Sequence, residues 1–431
     1  MHHQHRDKLT SLLSEHKNSV VYIRGGTLMG RYDTDFEYPF RQESNFLYLS
    51  GIQEPDFQLL IHLNSGDYHL FIPKRDANFA VWAGFIKTPE EYKAQYKPDV
   101  VHYDEELLSV LQKMNPETVF CLNGEQAEAI GKEGFKTDDN LLKDALAYCR
   151  IIKTDWEMDQ LRKASDVASK AHTEVLENIK PEMKEYEVKA LYEYVTTSEG
   201  LVHHPYNGIY ASGKSSAVLH YVDNHQQLNE GDFFLIDAGA EYNGYAADIT
   251  RTHPVSGSFK SVQRDLYHIT LRAQNNALNA MKPGVKMEDL HMDSCRDITT
   301  GLLDMGLLTG NLDELMDKNI FSLFFPHGLG HLMGLDTHDV GGYPKGVKKI
   351  DRPGVKYLRA RITLEPRMVL TVEPGLYMIP ALLKPAFENP EQSKYLNIPA
   401  LEELLNLGGV RIEDNVIVTE QGIENMTTVP K

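Results

Sequence analysis

The sequence predicts an α/β (α+β) chain in two parts, a small α/β domain over residues 1–150 and a larger domain over residues 151–431 that carries the chemistry. Three observations predict this. The length, 431 residues, corresponds to about two domains on the usual scale of roughly 100–200 residues each. Short apolar runs alternate with helical stretches along the chain. Thr154-Asp155-Trp156-Glu157 has capping-box spacing, with Thr154 placed to cap a helix and Glu157 to reach back, so a new helix opens near residue 154.

In the first part, Val20 to Ile23, Leu59 to His62 and Tyr68 to Pro73 read as strands, and residues 5–16 and 104–113 as helices. No chemical constellation appears there. His2, His3 and His5 crowd the N-terminus, where a frayed end is the expectation. Beyond the capping box, Met158 to Ile179 keeps apolar residues at helical spacing until Pro181 stops it. Helices follow near 186–198, 261–281 and 287–304, with strand-like runs near 232–252, 368–373 and 410–418. No internal repeat is visible.

A chain with 42% hydrophobic and 25% charged residues is globular. Its net charge of −18 argues against nucleic acid or an anionic membrane as a partner, since both need clustered Lys and Arg. Most of that acid is expected to be solubilising surface. Cys121, Cys149 and Cys295 are odd in number and widely spaced, which fits neither a disulfide framework nor a zinc knuckle. The cysteine usage, the lack of an apolar signal-like start and the lack of a long apolar run predict a cytoplasmic protein.

The most informative stretch runs from Phe233 to Thr250. Asn243-Gly244 between apolar runs is a strong hairpin signal. With those two as the turn, Tyr242 pairs with Tyr245, Gly239 with Asp248 and Asp237 with Thr250. Residues directly opposed or two apart share a face, so Asp237 and Asp248 become diagonal neighbours roughly 7 Å apart or less. Two such carboxylates in apolar strands repel unless a proton, a cationic partner or a metal intervenes. The alternative is a solvent-facing pair near a turn.

Further acids and imidazoles lie downstream: His327 and His331 in Pro326-His327-Gly328-Leu329-Gly330-His331, then His338, Glu373 in Thr371-Val372-Glu373-Pro374-Gly375, and Glu413 in Arg411-Ile412-Glu413-Asp414. Oxygen donors with one imidazole suit manganese, cobalt or zinc better than soft-ligand metals. A competing motif is Gly208 to Ser215, which fits the G-x-x-x-x-G-K-[ST] phosphate loop of nucleotide hydrolases. Its context is wrong, because Ser216 to Val222 is too short and β-leaning for the helix such a loop must open.

The order Asp, Asp, His, Glu, Glu in these contexts resembles the Xaa-Pro peptidases, the pita-bread metallopeptidases that include prolidase and aminopeptidase P. The resemblance implies a creatinase-like N-terminal domain before a pita-bread catalytic domain. It implies two divalent ions, Mn2+ first and Co2+ or Zn2+ otherwise, held by Asp237, Asp248, His331, Glu373 and Glu413, with hydrolysis by a bridging hydroxide. The segment Phe40 to Phe46, an insertion over Leu382 to Asn397, and Arg359 bring the match nearer to the dipeptidases than to aminopeptidase P, which stays as the alternative.

By the same resemblance His220, His327, His338 and Glu373 would be catalytic, Glu373 moving a proton. Arg359 would bind the substrate's terminal carboxylate, with Arg352 and Arg361 as neighbouring alternatives. Arg411 would orient Asp237 or Glu413, Tyr206 would line the pocket, and Trp82 would approach the site of a partner in a homodimer. The expected partner otherwise is a small dipeptide. A binding module that has lost activity is the remaining alternative, disfavoured because all five ligand positions are filled.

Overall fold

Val20 and Tyr22 leave the first strand on one side and Val21 and Ile23 on the other, and all four are buried, which marks a strand inside a sheet covered on both faces. The computed structural model describes residues 1–431 and divides into two units, Met1–Arg150 and Ile151–Lys431. In the first unit β1 (Val20–Arg24), β2 (Gln58–His62), β3 (Tyr68–Ile72), β4 (Val100–Tyr103), β5 (Val119–Cys121) and β6 (Thr137–Asp138) form one mixed sheet in the order β4-β3-β2-β1-β5-β6. Val20, Tyr22, Leu60, Phe71, Val119 and Cys121 share an apolar cluster with Leu107, Val110 and Leu111 of helix Leu107–Met114 and Ile130 of helix Gly124–Lys132.

The N-terminal histidines depart from the frayed end expected of them. They belong to helix His2–Leu12, where the His5 ring is buried and stacks on Tyr48 at 3.9 Å. His5 Nδ1 lies 2.7 Å from the Tyr48 carbonyl oxygen. Packing and a hydrogen bond thus hold a terminus that composition alone left free.

The second unit contains β7 (Ile209–Ser212), β8 (Phe233–Asp237), β9 (Glu241–Tyr242), β10 (Tyr245–Ala246), β11 (Thr250–Pro254), β12 (Val369–Val372), β13 (Gly375–Tyr377), β14 (Gly409–Arg411), β15 (Asp414–Val418) and β16 (Ile423–Asn425). They pair as β11-β8-β7, β10-β9, β12-β15-β16 and β13-β14, all antiparallel. Helix Asp155–Asn178 starts at the capping box, with both reciprocal bonds of Thr154 and Glu157 formed. It and helix Glu185–Ser198 contribute Ala171, Val175, Val188 and Tyr192 to a cluster with Phe234, Ile236 and Ala238. Helices Ser261–Ala280 and Met287–Asp304 contribute Ala277, Met287 and Leu290 to a cluster with Leu370, Val372, Val416 and Val418.

That division of apolar residues decides where the acids go. Successive residues of a strand point to opposite faces. In β8 the even-numbered positions meet helices, so Asp237 lies on the other face. In β12 and β15 Leu370, Val372, Val416 and Val418 meet helices, so Thr371, Glu373, Glu413 and Asn415 take the opposite side. Thr371 and Asn415 are directly paired across the two strands, which fixes that side as one face.

The Gly208–Ser215 motif forms β7 and a short 3-10 turn, Gly213–Ala217, with no helix behind it, so it builds no phosphate cradle. His220 sits on the turn that follows rather than on the strand expected there. Its neighbour Tyr221 folds back, its N–H bonding the Val218 carbonyl at 3.2 Å, and that local bond replaces a ladder.

Candidate metal centre

The hairpin register is the one the Asn-Gly turn predicts: Tyr245 opposes Tyr242 and Thr250 opposes Asp237. Asn243 and Gly244 both have positive φ, 52° and 88°, as a tight turn matched to strand twist requires. The strands come very close at Gly239, where a Cβ would lie 1.9 Å from the Ala247 carbonyl oxygen. The result is a shared contact: the Tyr206 hydroxyl sits 2.8 Å from Asp237 Oδ1 and 2.6 Å from Asp248 Oδ1. One hydroxyl proton serves two acceptors, which leaves room for a proton on one carboxyl in the absence of a cation.

His331 reaches the same place because the 329–333 segment runs beside β12. The Thr371 and Met333 amides bond the His331 and Val369 carbonyls at 3.0 Å each, and the Glu373 amide bonds the Leu329 carbonyl at 2.7 Å. Gly330 permits that approach, since a Cβ there would lie 2.1 Å from the Thr371 carbonyl oxygen. His331 Nδ1 lies 3.0 Å from the Leu332 carbonyl oxygen, so it carries the proton, and Nε2 presents its lone pair to Asp248 Oδ2 at 3.4 Å and Glu373 Oε1 at 3.7 Å. One donor atom each from Asp248, His331 and Glu413 lie within 4.8 Å of one another.

Around these donors is a cage of hydrogen bonds. Arg411 Nη2 donates to Asp237 Oδ2 at 2.6 Å, and its Nη1 donates to the Tyr377 hydroxyl at 3.0 Å, itself 2.8 Å from His327 Nε2. Thr250 Oγ1 donates to Glu413 Oε2 at 2.7 Å. The Asp248 amide donates to Asn415 Oδ1 at 3.0 Å.

Burial and the neighbouring acids push the carboxyls of Asp248, Glu373 and Glu413 well above the usual carboxylate range. Burial, before any charge, lowers His331 to about 4 and both His327 and His338 to about 3. Neutral imidazoles and crowded acids that resist ionisation are a donor set waiting for positive charge, and hard oxygen donors with one nitrogen fit a divalent ion.

A cavity of about 300 Å³ opens onto this cluster. His220, Asp237, Asp248, His327, His331, His338, Arg359, Glu373, Arg411 and Glu413 all line it. Tyr206 is not part of that lining, because its hydroxyl is turned to the two aspartates. Trp82 belongs to the first unit, at the end of helix Ala77–Trp82, where it is 86% exposed.

Residues 159–420 match the model of metallopeptidase family M24, and residues 2–120 match that of the aminopeptidase P N-terminal domain. The chain belongs to metallopeptidase family M24. A human Xaa-Pro dipeptidase is 40% identical over 96% of this chain and 87% of its own length. A probable Xaa-Pro aminopeptidase of Talaromyces marneffei is 38% identical over 96% of this chain and 90% of its own. A zinc-substituted E. coli aminopeptidase P in complex with product superposes with a TM-score of 0.83 at 31% identity, covering 99% of this chain and 95% of that one. The fold is therefore the M24 pita-bread domain behind an aminopeptidase P-type α/β domain, and the chain is a metal-dependent hydrolase. No helix of it is long and apolar enough to cross a membrane.

Several M24 side chains at this centre escaped the sequence reading. Thr250 holds the expected ligand Glu413, Asn415 holds the backbone of Asp248, and Tyr377 joins Arg411 to His327. Glu185 is fully buried and accepts four bonds: from the Ser212 amide at 2.7 Å, Ser212 Oγ at 2.8 Å, the Tyr221 hydroxyl at 2.8 Å and the Gln226 amide at 2.9 Å. It thereby pins the segment that carries His220. Lys153 and Asp339 form a buried ion pair at 3.2 Å next to His338. Nothing local in the sequence signals these partners, which are far apart along the chain.

Proposed function

We propose that the chain is an Xaa-Pro dipeptidase that hydrolyses the bond before a C-terminal proline. The observation that carries this reading is Arg359. It lines the same cavity as the carboxylate cluster and makes no ion pair or hydrogen bond within the protein. Its sequence neighbours are occupied: Arg361 pairs with Glu288 at 2.7 Å, and Arg352 bonds the Met316 carbonyl at 2.8 Å. A free guanidinium on the wall of this cavity suits a terminal carboxylate, which it can grip through two parallel bonds. Such an anchor selects a substrate whose carboxylate lies one residue beyond the scissile carbonyl.

Asp237, Asp248, His331, Glu373 and Glu413 would together hold a pair of divalent ions. A bound pair of this kind supplies the acidity that makes water a nucleophile near neutral pH. The chain's own side chains do the rest. Arg411 and Tyr206 fix Asp237. Glu373 carries the proton. His220 and His338 face the carbonyl oxygen as it gains charge, and His327 sits beside Glu373, 3.7 Å away, near the proline end. The proline bond has no N–H for an ordinary peptidase to hold, so gripping its carbonyl and carboxylate is a workable substitute. Manganese as the metal, a homodimer to which exposed Trp82 is offered, and a cytoplasmic setting with three buried free cysteines complete the reading.

The test compares Gly-Pro and Ala-Pro with Gly-Pro-Ala in the presence of manganese. Turnover of the dipeptides and little of the tripeptide is expected, with Arg359→Ala raising KM for Gly-Pro. Equal turnover of the tripeptide would move the reading to aminopeptidase P, the activity named for the Talaromyces relative. No turnover with metal bound would defeat both.

A further inference from the structure

A second cavity of about 260 Å³ shares His331, His338, Tyr357 and Arg359 with the first and extends past them to Lys349 and Lys356. Its charge is unlike that of the chain. From Lys345 to Arg361 there are seven cationic side chains and one acid, Asp351, in a protein whose net charge is −18. Of the seven, Arg352 and Arg361 are engaged elsewhere, whereas Lys349, Lys356 and Arg359 line the second cavity with no acidic partner. The one acid in that lining, Asp339, is already paired with buried Lys153. Lys349 lies over the Tyr343 ring at 5.9 Å and Lys356 over the Tyr357 ring at 4.9 Å, so both ammonium groups have aromatic seats rather than counter-ions.

We infer that Lys349 and Lys356 form a capture site for the substrate's terminal carboxylate, which is then passed along the shared wall to Arg359. Three like charges facing one cavity are relieved by an anion. A dipeptide is a zwitterion near neutral pH, so a local cationic entrance acts on its orientation, drawing the carboxylate end in first and turning the ammonium end away. The inference rests on the dipeptidase reading, because it needs a free carboxylate close to the scissile bond. Capture of this kind acts on the rate of productive encounter, not on the chemical step.

The test is kcat/KM for Gly-Pro against salt in the manganese-loaded enzyme, for wild type, Lys349→Ala/Lys356→Ala and Lys349→Arg/Lys356→Arg. At low ionic strength the alanine pair is expected to lower kcat/KM by about three- to tenfold with kcat little changed, and the arginine pair to restore it. The gap should close as salt approaches roughly 0.5 M. An alanine pair that matches wild type at low salt, while Arg359→Ala still raises KM, overturns the capture site and leaves the carboxylate anchor standing. An arginine pair as poor as the alanine pair assigns the lysines a packing role and also overturns it. No dipeptide turnover by wild type sinks the dipeptidase reading, and the capture site with it.

Discussion

Arg411 holds Asp237 by a 2.6 Å charge-assisted bond in a site that gathers four acids and four imidazoles. Its second arm ends on Tyr377. The guanidinium thus fixes one expected ligand, and through Tyr377 it touches His327.

Arg411→Lys keeps the charge but not the fork. Removing such a partner of a metal ligand typically costs 10- to 100-fold in metal affinity, and about that loss is expected here for the ion nearest Asp237. Calorimetric titration of metal-free protein should show two binding steps in wild type, with one weakened in the variant. Two unaltered steps would remove Arg411 from the site's support.

Gly330→Ala would drive a Cβ into the Thr371 carbonyl, and Gly239→Ala one into that of Ala247, each at contacts near 2 Å against backbone. Both should lower stability by about 2 kcal/mol or more and reduce bound metal. Gly422→Ala, which meets nothing within 4 Å, serves as the control. Thermal unfolding and metal content by emission spectroscopy decide it. A Gly330→Ala protein with full metal and wild-type melting would mean that the 329–333 segment is not pressed against β12.

Much of this centre was legible because strand parity and turn chemistry are local rules. Asn243-Gly244 sets the register that brings Asp248 diagonal to Asp237. What resisted reading was held by partners distant in sequence. Glu185 bonds to residues 27 to 41 positions away, and Asn415 to Asp248 across 167, with no periodicity to announce them. The N-terminal histidines and His220 failed for a related reason, since side-chain packing and one tight turn overrode what composition favoured. Among three neighbouring arginines, only the three-dimensional partners of Arg352 and Arg361 left Arg359 as the free one.

Glu185→Gln replaces a buried four-bond acceptor with a group that must point two N–H donors at other donors. A stability loss of about 1–3 kcal/mol is expected. Tyr221→Phe, which removes one donor only, should cost about 1 kcal/mol. Because the pinned segment carries His220, Glu185→Gln should also lower kcat more than it raises KM, and urea unfolding alongside kinetics separates the two effects. Wild-type kcat in a measurably destabilised variant would confine Glu185 to a structural role.

Metal removal gives the sharpest pH test. Without metal, the native carboxyls of Asp248, Glu373 and Glu413 keep their protons above the range in which the unfolded chain loses them, about 4. A native state that binds more protons than the unfolded one loses stability as pH rises, so the contribution of these acids is fully present below that range and is lost as pH climbs above it. Divalent ions displace those protons, and their binding strengthens over the same interval. The melting temperatures of metal-loaded and metal-free protein should therefore lie close together near pH 5 and separate progressively toward pH 8, with about 2.7 kcal/mol of stabilisation at a hundredfold excess of metal over Kd. Asp248→Asn/Glu413→Gln, which removes two of the crowded charges, should flatten the pH dependence of the metal-free form and abolish the gap. A gap that stays constant with pH, or survives in that variant, would show that these acids are not the groups that metal discharges.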